Sequence, residues 1–244
     1  MNQFSGMVDL TQVNKYLHLF DELFTHIGIE RQFLIYVVDS IAMNDQAHNL
    51  GHVYGVTKLA GEICDKLDLG FRNKKIAMVA ALLHDIGCRL EREYHHLIGY
   101  GLSYEILHNY WRGEFSDNET MLIAKAVLEH RSSSKHKPTS KISEVVSVAD
   151  SGVPCINTYI KRCMQYRLSR GDHSFGTDPG KFFNDVKEHL KEKFGTNGYH
   201  WVSYPDLGMD FFHREWKEFC DYLEEENDAK FSHLLEVQYN ALRG

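Results

Sequence analysis

Fifteen histidines in 244 residues ask for an explanation, because imidazole is the commonest metal ligand and changes charge near neutral pH. Sorting them by their neighbours at helical spacing separates a small group from the rest. His52 shares a stripe with Val56, Leu59, Ala60 and Ile63, so its ring is aimed inward with an apolar face. His84 and Asp85 follow Ile76, Val79, Ala80 and Leu83 and stand just before Gly87; two ligand types thus arrive together at a helix end beside a glycine stop. Asp150 lies one turn beyond Val146 on a face with Ile142, Val145 and Ala149. His130 follows Ala126 and Val127 in the same manner, and His95 lines up with Gly99, Leu102 and Ile106.

A hydrogen bond in the core accounts for any one inward histidine taken alone. An inward carboxylate is harder to account for. Burying an ionised Asp without a partner costs several kcal/mol, and a divalent cation shared with histidines removes that cost. Several helices each presenting a His or Asp from an apolar face therefore point to convergence on a metal, whose chemistry would be the activation of water. Spacing gives no distances between helices, so convergence stands here as an expectation.

The elements that must position these groups are helices. Prolines number only four, and apolar residues recur at helical spacing in nearly every segment, with no alternating run bounded by turns. Helices are expected over 13–26, 31–43, 50–67, 74–86, 92–111, 118–130, 142–151, 155–168, 181–194 and 209–225, with a last one over 231–242. Turn-forming residues are dense over 132–140, 169–180 and 195–208. The expected organisation is all-α: a single domain with an N-terminal helix over 13–26, a helical bundle core over about 31–168 and a C-terminal helical extension over about 169–244. Aromatic residues crowd that extension, and Phe212, Trp216 and Phe219 recur at helical spacing as packing residues do. His173, His189, His200, His213 and His233 read as bystanders.

Composition narrows the function. A net charge of -7, from 27 Lys and Arg against 34 Asp and Glu, argues against a broad nucleic-acid surface. The five scattered cysteines form no C-x-x-C pair, which fits a reducing compartment rather than a disulfide framework. The first twelve residues lack a basic start and an apolar stretch, and the longest apolar run, Ile76 to Leu83, is too short to span a bilayer. A cytoplasmic protein without membrane contact is expected.

The order His52, then AALLHDIG from Ala80 to Gly87, then SVADSG from Ser147 to Gly152, resembles the HD-domain superfamily of metal-dependent phosphohydrolases. Its signature is H, HD and D on successive helices, and the likeness covers about residues 50 to 151. The segments HHLIG from His95 and VLEH ending at His130 are similar to the extra histidines of members that hold two metals, with His95 favoured over His96. The resemblance implies an all-α bundle in which His52, His84, Asp85 and Asp150 hold one divalent ion. Asp85 would bridge to a second held by His95 and His130, and the ion or ions could be Mn, Fe, Co, Ni or Zn.

Asp85 and His84 are then the candidate catalytic residues, with Asp85 orienting the attacking water. Two features depart from related subfamilies. Cys88 and Arg89 stand where some members carry Lys or Glu, and the additional motifs of deoxynucleoside triphosphohydrolases and guanosine-tetraphosphate hydrolases are missing. The substrate implied is a small phosphorylated metabolite, a nucleotide by preference. Directly after His130, the acid-free segment 131–141 offers Arg131, Lys135 and Lys137 as candidate phosphate contacts. Two other readings stay open: a di-iron oxygenase built on the same six ligands, and a non-catalytic metal- or nucleotide-binding module. Homo-oligomerisation is compatible with all three.

Overall fold

The computed structural model describes residues 9–45, 48–131 and 136–243. Among them the structure is all-α, with a lone bridge between Arg112 and Phe115 as the only β-type pairing. The chain divides into two compact units, one within Met1–Gly152 and the other Val153–Gly244.

In the first unit, α1 (Leu10–Phe24), α2 (Arg31–Ile41) and α3 (Leu50–Lys66) lead to α4 (Phe71–Leu83). A helix apolar on every side must be wrapped by others, and α4 is that helix: from Lys75 to Leu83 each residue is buried. Around it stand α3, α6 (Asp117–Glu129) and α7 (Lys141–Ser151), while α5 (His95–Glu105) packs on α6. The one charged residue in the buried run, Lys75, is satisfied by the Gly28 carbonyl at 2.8 Å and the Glu114 carboxylate at 2.5 Å.

Local chemistry fixes where the helices begin. Asn49 caps α3 by accepting from the His52 N–H, Ser116 and Glu119 form a reciprocal capping box on α6, and Ser140 caps α7. Gly70 and Gly152, at φ 77° and 75°, adopt the left-handed backbone that starts α4 and stops α7. The division between units falls at this second glycine, ahead of the position near 169 where the extension was expected to begin.

The second unit holds α8 (Ile156–Ser169), α9 (Ser174–Thr177), α10 (Pro179–Phe194), α11 (His200–Ser203), α12 (Asp206–Phe211), α13 (His213–Asp221) and α14 (Asp228–Arg243). There α8 packs on α10 and α14, around Phe182, Phe194, Trp216, Phe219 and Phe231, all buried.

Two expected helices are divided. The segment 92–111 begins its helix only at His95 and widens into a π-helical turn over Ile106–Tyr110. The segment 209–225 breaks at Phe212, whose backbone leaves the helical region at φ -109° and ψ 30°. Successive rings on a straight helix point about 100° apart, and the break lets Phe212 bury while Phe211 is half-buried against it at 4.8 Å.

Candidate metal centre

The His84-Asp85 pair sits just past the last residue of α4, in a run of turns closed by Ile86 N–H to the Leu83 carbonyl and Cys88 N–H to the Asp85 carbonyl. Both side chains are buried, at 0% and 1% exposure. Four further elements bring their residues to this turn: His52 comes from the first turn of α3, His95 from the start of α5, His130 from the end of α6 and Asp150 from the last turn of α7.

The arrangement has two halves that share one carboxylate. On one side Asp85 Oδ2 lies 3.1 Å from His84 Nε2 and 3.4 Å from His52 Nε2, and Asp150 Oδ1 lies 3.2 Å from His52 Nε2 and 3.6 Å from His84 Nε2. On the other side Asp85 Oδ1 lies 3.5 Å from His95 Nε2 and 3.8 Å from His130 Nε2. Within each half the histidine nitrogens face one another: His52 and His84 are 3.1 Å apart at Nε2, and so are His95 and His130. His96, next to His95, contributes no atom to either half.

These donors fit a divalent cation. Metal–nitrogen bonds of about 2.0–2.1 Å place two nitrogens at neighbouring tetrahedral or octahedral vertices about 2.8–3.4 Å apart. The other ring nitrogens of three histidines are committed: Nδ1 of His84, His95 and His130 pairs with the carbonyls of Ala81, Arg92 and Val127 at 2.6, 2.7 and 2.6 Å. That donation leaves Nε2 with its lone pair directed into the cluster, as a ligating histidine requires. Asp85 Oδ2 is buried with no hydrogen-bond donor, which a carboxylate tolerates when a cation satisfies it.

The electrostatics agree. Burial alone would lower the His52 pKa, but the Asp150 and Asp85 carboxylates override it and hold the ring at about 10. His84 is raised against its burial by the same two carboxylates. Burial opposes ionisation of Asp85 and Asp150 as well, yet the surrounding imidazoles keep Asp85 well below the usual carboxylate range and Asp150 at about 2. On the far side, burial pushes His130 down to about 4 and lowers His95. The two carboxylates thus draw protons onto His52 and His84, the positive charge that a divalent ion would supply instead.

Sequence reasoning gave no site role to His48, Asn44 or Cys88, which stand beside this cluster. His48, one turn ahead of His52, is held through Nδ1 by Asp45 Oδ1 at 2.8 Å, and His48, Asp85 and Cys88 bring one donor atom each within 4.8 Å of one another. Asn44 donates through Nδ2 to the carbonyls of Asp85 and His48, at 3.0 and 3.1 Å, tying the His84-Asp85 turn to the segment before α3. The spacing of His48 to His52 was the available signal, but His48 precedes the helix and lies on no apolar stripe.

Of the expected phosphate contacts, Arg131 is half-buried and donates through Nη1 to the Glu93 carbonyl at 2.8 Å. Lys137 is exposed, beyond Glu129, whose carboxylate accepts from the Thr139 N–H and hydroxyl at 3.0 and 2.8 Å. Lys135 lies outside the described residues. Gly87, read as a helix stop, has no left-handed backbone. It is required by close approach, since a Cβ there would stand 2.3 Å from the His95 carbonyl oxygen and 2.8 Å from the Gly99 nitrogen.

Comparison with known proteins agrees with this geometry. Residues 49–151 match the family model described as HD domain. A protein of Clostridium beijerinckii described only as uncharacterized is 39% identical over 87 residues, 34% of this chain and 53% of its own length. The chain thus spans about half the length of that curated relative. No solved structure matches. No helix among the described residues is long and apolar enough to cross a membrane.

Proposed function

We propose, from the match of residues 49–151 to the HD domain model, that the chain is a metal-dependent phosphohydrolase of the HD-domain superfamily and hydrolyses a phosphate ester of a small metabolite, a nucleotide by preference. One observation carries the reading: the two oxygens of Asp85 address two separate histidine pairs, the disposition of a carboxylate that bridges two divalent ions. His52, His84, Asp85 Oδ2 and Asp150 would hold one ion, and His95, His130 and Asp85 Oδ1 the other. Mn, Fe, Co, Ni and Zn all accept such a nitrogen and oxygen set. When bound, the metal supplies a Lewis acid for a phosphoryl oxygen and a water of lowered pKa.

The protein's own groups do the rest. Asp85, set between the two histidine pairs, orients the attacking water, and His84, its neighbour in the same turn, is the second catalytic candidate. Arg131, Lys135 and Lys137, on the segment that follows His130, supply fixed positive charge for the phosphate. Burial of His84, Asp85 and His130 lowers the local dielectric and strengthens each of these interactions.

The test is elemental analysis together with phosphate release from a nucleotide panel, on wild type and Asp85→Ala. The reading requires a transition metal and released phosphate in wild type, with both lost in the variant. Oxygen uptake by an iron-loaded protein that releases no phosphate would favour the di-iron oxygenase on the same ligands. Tight nucleotide binding by metal-loaded protein without turnover would favour a binding module.

A further inference from the structure

The half of the centre around Asp85 Oδ1 is richer in donors than the six residues above. Cys88, three residues after Asp85 in the same run of turns, places Sγ 3.4 Å from Asp85 Oδ1 and is only 7% exposed. His48 reaches the same place from the other side: its ring centroid is 5.7 Å from that of His95, and its donor atom lies within 4.8 Å of Asp85 and Cys88. Asp45 holds His48 Nδ1 at 2.8 Å, the carboxylate–histidine pairing that fixes the tautomer of a metal-ligating imidazole and frees Nε2.

We propose that Cys88 and His48, with Asp85 Oδ1, form a thiolate-containing metal-binding set of their own beside the His95–His130 pair, so that an ion there is held by the His48 nitrogen, the carboxylate oxygen and the Cys88 sulfur.

This rests on the metal-centre reading above and names the class of metal that the Oδ1 side of Asp85 takes. The distance supports it: a metal–sulfur bond of about 2.3 Å and a metal–oxygen bond of about 2.1 Å, at a tetrahedral or octahedral angle, separate the two donors by about 3.1–3.6 Å. Asp85 is only 1% exposed, and a buried carboxylate whose Oδ1 has imidazoles and a thiol around it but no fixed cation among the described residues is an independent sign that this pocket suits a metal ion. Ligation exchanges the thiol proton for the metal, releasing one proton to solvent. A thiolate donor favours zinc, cobalt or iron over magnesium and manganese, which prefer all-oxygen or mixed oxygen and nitrogen sets.

The full chain loaded separately with zinc and with cobalt decides the matter without reference to activity. X-ray absorption at the zinc edge should show a sulfur shell at about 2.3 Å, and the cobalt form should show a thiolate-to-cobalt charge-transfer band in the near ultraviolet. Both signals should persist in a Cys155→Ser/Cys220→Ser double variant, which removes the two cysteines that are not buried, and fall to baseline in Cys88→Ser. If Cys88→Ser fails to fold, adding Cys64→Ala and Cys163→Ala to the double variant leaves Cys88 as the sole cysteine, and loss of the sulfur signal there would overturn the proposal. Bound metal with only nitrogen and oxygen neighbours in wild type would overturn this proposal, reduce Cys88 to a hydrogen-bond donor, and leave the hydrolase reading standing. Failure to bind any metal would overturn both.

Discussion

His95 and His130 direct their Nε2 atoms at each other across 3.1 Å while each Nδ1 is committed to a backbone carbonyl. Neutral imidazole has one donor and one acceptor nitrogen, so these two rings present lone pair to lone pair. Such a contact between buried groups is unfavourable until a cation lies between them. Removing metal with a chelator should therefore lower the thermal midpoint, and ion present at about 100 times its Kd should restore about 2.7 kcal/mol. His130→Ala should keep the ion held by His52, His84 and Asp150 but lose the other, halving the metal content in elemental analysis. An unchanged stoichiometry in this variant would remove His130 from the ligand set.

Gly87 is the position where the smallest change should do the most damage. An added Cβ would meet the His95 carbonyl oxygen at 2.3 Å and the Gly99 nitrogen at 2.8 Å, and backbone atoms cannot turn aside as side chains do. Gly87→Ala should cost about 1–3 kcal/mol or more and push the first turn of α5 away, weakening metal retention at His95. Gly99→Ala is the contrast, because its Cβ would crowd only a side-chain methyl, Val127 Cγ1 at 3.0 Å, with the backbone at ordinary contact, the His84 carbonyl oxygen at 3.6 Å. Urea denaturation and metal content of the two variants should separate clearly, and equal losses would refute the close-approach argument.

The segment after His130 offers a division of roles. Arg131 donates to the Glu93 carbonyl, on the stretch leading into His95, so Arg131→Met should both loosen that stretch and remove a charge near the centre. Lys137 is exposed, and Lys137→Met should raise KM without moving kcat or metal content. A hydrogen bond to a charged group is worth about 1.5–3 kcal/mol when buried, and exposure of Lys137 puts its effect below that range, at a several-fold change. Steady-state kinetics on the substrate found by the panel would check this; a Lys137 variant with unaltered KM would exclude it from phosphate recognition.

What could be read from the sequence, and what could not, follows a physical division. His52, His84, Asp85, Asp150, His95 and His130 were legible as candidates because each interrupts an apolar stripe, and the helices carrying them were legible because α4 and its neighbours are strongly patterned. His48 was not, because it lies before the first residue of α3, where no periodicity reports its direction. Cys88 stood out in the sequence only as a departure from related subfamilies; its 3.4 Å approach to Asp85 depends on how the turn after α4 closes. Gly87 was seen but for another reason, since close approach of two distant segments leaves no local mark. The break at Phe212 was hidden because the apolar spacing of Phe212, Trp216 and Phe219 continues on its far side.

His200, set aside as a bystander in sequence, yields the last prediction. Its ring is 1% exposed, both nitrogens lack hydrogen-bond partners, and it is enclosed by Tyr204, Phe194, Trp201 and Trp216 at centroid distances of 4.6, 4.8, 5.0 and 5.3 Å. Burial, reinforced by the Lys193 ammonium, pushes its pKa down to about 3. The unfolded chain takes up a proton near pH 6.5, whereas the folded one resists it until about pH 3. Between these values the unfolded state binds more protons, so stability rises with pH, is fully present above about 6.5 and is lost progressively on acidification. Each unit of difference is worth about 1.4 kcal/mol, which makes His200 a leading contributor to acid sensitivity of the second unit. His200→Phe should flatten the dependence of unfolding free energy on pH between about 6.5 and 3 while leaving metal content unchanged. Urea titrations at a series of pH values would show it. A variant whose acid slope matches wild type would mean that the cage opens to water well before the ring is protonated.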